Sequence, residues 1–294
     1  MPFEGQGVLA AVATPLDAAN RVDLLLLAQH SAELLRRGLH GIALFGTTGE
    51  GPSFTVAERS ATLEGLLARG IESSELVVGT GAAALGDAVF LTRHALAQGC
   101  RHVLLLPPFY FKGVGSAGVA EAIGQVIDAV SDPRLRVILY HIPQVSGVGF
   151  DDETIATLRR RYGSVIVGIK DSSGSLDHSL ALIRNHPGLK VYVGAEDTIG
   201  RARAAGGAGS ICGLANIAPE QVRACYDSER DRDTGALTEL LRAVEGRPFV
   251  PLLKAWLAAC QGNDGWRRVR APLVAMSADA TAALPRTLLS GTAA

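Results

Sequence analysis

VIVGIKDSSG, residues 165–174, joins an unbroken apolar run to a lysine, an acid, two hydroxyls and a glycine. A half-exposed strand alternates polar and apolar residues, whereas a strand covered on both faces reads as continuous Val, Ile and Leu, as in parallel sheets. Seven more runs of the second kind occur: VLAAVA at 8–13, GIALF at 41–45, LVVGT at 76–80, HVLLL at 102–106, RVILY at 136–140, KVYVG at 190–194 and GSICG at 209–213. Successive runs start 19 to 35 residues apart, which leaves room for one helix between each pair. Eight such units in roughly 225 residues match a closed (β/α)8 TIM barrel, with a doubly wound open sheet as the alternative. The barrel is the expected fold.

The intervening segments carry helix signals with readable ends. Thr55-Val56-Ala57-Glu58 has capping-box spacing ahead of Leu63, Leu66 and Leu67, with Gly70 as a stop. Val119, Ile123, Val126, Ile127 and Val130 repeat at three and four, with Ser116 as the expected cap. Ser175 opens a helix that closes at His186-Pro187-Gly188, and Pro219 suits a first turn. From about 226 to 294 there are helical patterns, Thr234 to Val244 and Val250 to Cys260, and no convincing strand. Residues 1–225 therefore read as a barrel carrying the site, and 226–294 as a helical extension of the same domain.

The 28 basic and 29 acidic side chains leave a net charge of −1, with no cation excess for counterion release from nucleic acid. The N-terminal stretch lacks a basic region, and Pro15 and Asp17 break its apolar run, so neither a signal peptide nor a membrane span is expected. Cys100, Cys212, Cys225 and Cys260 are far apart without C-x-x-C spacing, which suits reduced thiols in a cytoplasmic protein and makes zinc an unsuitable expectation.

Both folds place their sites at the carboxyl ends of the strands. Those ends carry Thr14-Pro15, then Gly46-Thr47-Thr48-Gly49-Glu50, Pro107 to Phe111, Tyr140-His141-Ile142-Pro143, Lys170 to Gly174, and Gly194-Ala195-Glu196-Asp197. Of only four lysines, Lys190 starts a strand, Lys112 lies in a loop, Lys254 lies in the extension, and Lys170 stands at a strand end. Desolvation there favours a neutral amine able to attack a carbonyl; the bland alternative is a lysine that reaches solvent or pairs with Asp171. Tyr140 could relay protons to a carbinolamine or enamine, or be a core aromatic with a satisfied hydroxyl. Thr47 and Thr48 could bind ligand or simply shape a turn. Together these groups form a more specific signal than any of them alone. A metal-dependent aldolase would want several His and carboxylate ligands, yet His141 is the one histidine beside an expected strand end, so no metal is expected. Glu196 and Asp197 would repel a phosphate near Gly207 to Gly213 and could accept from sugar-like hydroxyls, or cap the next helix.

With Thr14-Pro15, GTTGE at 46–50, PPFY at 107–110, YHIP at 140–143, GIKDSSG at 168–174 and GLAN at 213–216 in order, the chain resembles the pyruvate-dependent lyase/aldolase family that includes dihydrodipicolinate synthase and N-acetylneuraminate lyase. The resemblance implies a barrel with a helical extension, assembled as a homotetramer from a pair of dimers. It implies a Schiff base between Lys170 and C2 of pyruvate or another 2-oxo acid, with no external cofactor. It makes Tyr140 the proton shuttle, places Thr48 in a hydrogen-bonded relay, and has Tyr110 complete that relay in the neighbouring subunit. Thr47 and Thr48, through their backbone N–H groups, would hold the carboxylate, and Ile211 would line the pyruvate pocket. The iminium acts as an electron sink that stabilises charge at C3.

The second substrate is where the chain departs from part of that family. Dihydrodipicolinate synthases have an arginine two residues after the proline of Y-x-x-P; this chain has Val145, with no cation from Gln144 to Gly149. Val145-Ser146-Gly147 looks more like the sialate lyase form, in which the positions of Ser172, Gly194, Glu196 and Asp197 meet sugar hydroxyls, although Ala195 and Gly213 do not match it. The expected activity is therefore aldol, retro-aldol or dehydration chemistry on a hydroxylated 2-oxo acid such as a 2-keto-3-deoxy sugar acid. Condensation of pyruvate with aspartate semialdehyde is the alternative, and a non-catalytic 2-oxo acid sensor is the second.

Overall fold

The computed structural model describes residues 3–228 and 235–277. Eight strands, β1 (Gly7–Ala11), β2 (Gly41–Leu44), β3 (Leu76–Gly79), β4 (His102–Leu105), β5 (Arg136–His141), β6 (Ile166–Asp171), β7 (Lys190–Val193) and β8 (Gly209–Cys212), lie within or overlap the eight apolar runs. All neighbours are parallel, and β1 pairs with β8 through Gly7 to Ala10 against Gly209 to Cys212. That pairing closes the barrel and excludes the open sheet.

Two apolar layers explain why the runs lack alternation. Leu9, Ala11, Ala43, Val77, Leu104, Ile138, Tyr140, Tyr192 and Ile211 fill the inside as one cluster. Their neighbours in sequence, among them Val8, Ala10, Ile42, Val78, Val103, Leu139, Val191 and Val193, pack outward beneath the helices. Successive strand residues point to opposite faces, so both parities are buried. The β5–β6 ladder contains one register shift, where Val137 faces Ile166 but Ile138 faces Gly168. This irregularity puts both Ile166 and Ile169 on the outer layer, three positions apart, and so turns Lys170 inward; re-aiming a side chain is what a bulge does.

The helices begin where their caps allow. Thr55 and Glu58 form a reciprocal capping box ahead of Val56–Leu67, and the Ser175 side chain caps Leu176–Asn185. The expected cap at Ser116 differs by one residue: Gly115 is the cap and Ser116 opens the helix, its hydroxyl donating to Asp151 at 2.5 Å. Pro219 does start its helix.

Of the extension expected over 226–294, residues 229–234 and 278–294 lie outside the described residues, Thr234 among them. The remainder holds helices Gly235–Val244 and Phe249–Gln261 and a single turn at Asp264–Arg267. Leu237, Leu240, Leu252, Leu253, Trp256 and Trp266 join the outer-layer core, so these helices share buried surface with the barrel. No helix among the described residues is long and apolar enough to cross a membrane.

Candidate active site

Lys170 and Tyr140 are register partners on adjacent strands, and the Lys170 Nζ lies 4.2 Å from the centroid of the Tyr140 ring. Only 4 % of Lys170 is exposed. Its expected alternative partner, Asp171, faces the other way: its carboxylate accepts from the Ser173 N–H at 3.0 Å and the Ser179 hydroxyl at 2.6 Å, and pairs with His178 Nδ1 at 3.0 Å. Burial opposes ionisation of Asp171, but these hydrogen bonds outweigh it and hold the carboxyl below its ordinary range. The lysine is thus left inside the barrel, with no hydrogen bond from Nζ to any described residue. Below it, the Tyr192 ring slants past Gly168, where a Cβ would come within 3.1 Å of Cε2, and its hydroxyl donates to the Gly5 carbonyl at 2.6 Å.

The Tyr140 hydroxyl is 3.0 Å from Thr47 Oγ1. The resemblance put Thr48 in this contact; the geometry gives it to Thr47 instead, because Thr48 turns to the opposite side of the loop, with its Oγ1 against Gly213 at the end of β8. Adjacent residues on a tight turn cannot both face Tyr140. Neither the Thr47 nor the Thr48 backbone N–H donates to a carbonyl or side chain among the described residues, so two neighbouring donors are available to an anion. The loop is bounded by Phe45 at φ 57° and Glu50 at φ 55°, non-glycine residues in the left-handed region that persist only where surroundings over-determine them. Gly51 serves this close turn: a Cβ there would sit 2.1 Å from the Phe45 carbonyl oxygen.

The other expected residues divide into inner and outer positions. Ile211 is fully buried in the interior cluster that contains Tyr140. Ser172 and Gly194 are neighbours across β6 and β7, close enough that a Cβ on Gly194 would fall 2.4 Å from Ser172 Oγ. Glu196 is buried, accepts from the Leu214 N–H at 2.8 Å, and is pushed up from the ordinary carboxylate range by burial. Asp197 is exposed, so the adjacent carboxylates face different surroundings. Tyr110 is 76 % exposed and edge-on to exposed Phe111.

Two arrangements escaped sequence reasoning. His178 joins His141 and Asp171 with potential ligand atoms within 4.8 Å, and the two rings stack at 4.6 Å. His141 and His178, but not Asp171, border an opening of about 360 Å³. A metal held by the trio would compete with existing bonds, since His141 Nδ1 accepts from the Phe150 N–H at 3.0 Å and Asp171 already meets three donors. The seven-residue spacing from Asp171 to His178 was the available signal. The second arrangement pairs Glu50 with Lys254, both wholly buried, at 2.7 Å.

A profile of the dihydrodipicolinate synthetase family matches residues 4–290. The chain belongs to that family. It is 38% identical over 289 residues to an uncharacterized DapA-like lyase of Chloroflexus aurantiacus, covering 96% of this chain and 95% of that one. Among solved structures, the dihydrodipicolinate synthase of Agrobacterium tumefaciens superposes with a TM-score of 0.89 at 32% identity, covering 97% of each chain. A prophage protein of the family from E. coli K12, solved in complex with pyruvate, gives 0.86 at 26% identity over 98% of each chain. The protein is accordingly a lyase of the aldolase type carried by a TIM barrel.

Proposed function

We propose that Lys170 is the Schiff-base nucleophile of a lyase acting on pyruvate or a hydroxylated 2-oxo acid, with no external cofactor. One observation carries the reading: the single lysine inside the barrel rests against Tyr140, whose hydroxyl is bonded to Thr47. Neutral Nζ attacks C2; the carbinolamine loses its oxygen as water and becomes an iminium. The C3–C4 bond electrons then collapse into the iminium, giving an enamine and an aldehyde, while the C4 hydroxyl yields its proton to a base. Protonation at C3 and hydrolysis return pyruvate and Lys170. Loss of a C3 proton from the pyruvate iminium gives the same enamine and opens the addition route, whereas loss of a C3 proton from the iminium of the uncleaved hydroxylated acid gives an enamine that expels its C4 hydroxyl, protonated, as water and so opens the dehydration route. Tyr140 and Thr47 form the proton relay, with Tyr110 of a neighbouring subunit as its third member. The free N–H groups of Thr47 and Thr48 hold the carboxylate, and Ile211 bounds the pocket.

Ser172, Gly194 and Glu196 take the hydroxylated tail, with Asp197 at the rim. The absence of a cation at Val145 favours a neutral polyol over a second carboxylate, so 2-keto-3-deoxy sugar acids lead the substrate panel. Condensation of pyruvate with aspartate semialdehyde is the second reading, supported by relatives named 4-hydroxy-tetrahydrodipicolinate synthase, such as that of Methanosphaerula palustris, 29% identical over 296 residues. The enzyme works in the cytoplasm as a homotetramer on this reading; the exposed Tyr110–Phe111 pair supports a contact between subunits. Borohydride reduction with pyruvate, followed by peptide mapping, should add the reduced pyruvyl group to Lys170, and an unmodified Lys170 in folded protein defeats the mechanism. Pyruvate release from the panel ranks the substrates, and robust condensation with aspartate semialdehyde reverses the ranking.

A further inference from the structure

Two of the four lysines are buried, and the second has no part in the reaction described above. Lys254 lies in the helix Phe249–Gln261, among Leu252, Leu253, Trp256 and Leu257. Its Nζ donates to Glu50 Oε1 at 2.7 Å and to the Thr14 carbonyl at 2.8 Å. Burial pulls its pKa down while Glu50 pushes it back up. The remaining oxygen of Glu50 accepts from the Arg270 N–H at 2.8 Å. Two points of the extension, Lys254 within its helix and Arg270 beyond it, therefore grip one carboxylate.

That carboxylate belongs to the loop holding Thr47. Glu50 is left-handed, its N–H donates to the Thr47 carbonyl at 3.0 Å, and Gly51 N–H closes onto Gly46 at 3.1 Å. From the β1 side, Thr14 Oγ1 donates to the Gly49 carbonyl at 2.8 Å. Lys254 thus joins the end of β1 and the end of the Thr47 loop through one ammonium. A buried ion pair is weak as a source of stability but specific in geometry, since each partner left alone is an uncompensated charge. Backbone in the left-handed region also needs such external restraint.

We propose that Lys254 is a positioning residue, acting through Glu50 to hold Thr47 against Tyr140, so that the C-terminal helix sets the proton relay of the barrel. The inference rests on the Tyr140–Thr47 relay proposed above. It makes the extension part of the catalytic apparatus, not merely a cover for the barrel.

The test is a double-mutant cycle read by exchange of pyruvate methyl protons with deuterated water. This reaction requires the iminium and enamine but no second substrate. Lys254→Met should lower kcat about 100-fold, the scale of a misplaced relay group, and raise the KM for pyruvate, because the same loop presents the Thr47 and Thr48 N–H groups. In a Thr47→Val background, Lys254→Met should change kcat by less than about 3-fold while the KM effect persists, since the hydroxyl it positions is already gone. Borohydride should still label Lys170 in every folded variant after long incubation. If Lys254→Met does not fold, Glu50→Gln with Lys254→Met removes the stranded charge and takes its place in the cycle. Equal kcat losses in both backgrounds, or near-normal kcat in Lys254→Met, overturn the proposal while leaving the relay intact. A Thr47→Val enzyme with normal exchange overturns the relay and the positioning role together.

Discussion

Replacing Tyr140 by phenylalanine removes one oxygen and leaves the ring that lies 4.2 Å from Lys170 Nζ. Lys170 keeps its packing, so the variant removes a proton-transfer group without removing the amine proposed to form the imine. General acid–base catalysis contributes about 10² to 10⁴ in rate, or roughly 3–5 kcal/mol at 1.36 kcal/mol per factor of ten. The cost to the fold is much smaller. Thr47 Oγ1 loses its 3.0 Å partner in a partly buried place, worth about 1 kcal/mol, which for a chain of this size lowers Tm by only about 2–4 °C. Rate and stability should therefore separate by some 2 kcal/mol or more. Methyl-proton exchange of pyruvate by NMR measures the rate, calorimetry gives Tm, and mass spectrometry after borohydride reduction counts the Lys170 adduct. The expected result is slow exchange, near-normal melting and an adduct that accumulates late. Exchange within about threefold of wild type would refute the relay.

Other expectations follow from the same geometry. Gly51→Ala should distort the Thr47 loop, because the new Cβ would lie 2.1 Å from the Phe45 carbonyl oxygen; exchange should fall at least about 10-fold, and a normal rate argues against loop placement as the source of activity. Mixing Tyr110→Phe with Lys170→Ala subunits should regenerate activity that neither has alone, since a mixed dimer contains one complete site; no recovery in verified mixed oligomers rejects the shared relay. His30 is held down to about 4, first by burial and further by Arg37 against the Asn216 hydrogen bond. The unfolded chain therefore takes up a proton near 6.5 that the native state refuses until about 4, and stability should fall by on the order of 3 kcal/mol as pH drops through that window. Denaturant titrations from pH 7 to 4 should show a shallower decline in His30→Gln, and an identical decline contradicts the assignment.

The barrel was legible because two-sided burial writes itself into composition: Val137 and Leu139 pack outward, Ile138 and Tyr140 inward, and the run is apolar throughout. Lys170 was legible as a charge where such a run ends. Which way it points was not, since that depends on the register shift opposite Ile138, a backbone event without a residue signature here. Thr47 and Thr48 are interchangeable in sequence and separate only through a turn whose left-handed residues, Phe45 and Glu50, are not glycines. Lys254 did leave a signal. A helix apolar on all sides is a buried one, so a lysine within FVPLLKAWLAAC needed a carboxylate partner; that the partner is Glu50, 204 positions away, is a fact of three dimensions only.

Tyr192 closes the barrel beneath Lys170, its hydroxyl tied to Gly5 and its ring backed by Phe3 at 6.2 Å. Tyr192 therefore occupies the amino-terminal side of Lys170 and leaves approach from the carboxyl ends of the strands. On the mechanism proposed above, the imine holds the 2-oxo acid on Lys170 until the aldehyde has left, so the covalent bond sets the order of events. The tyrosine sets the direction of traffic instead, since both partners then come and go by the same end.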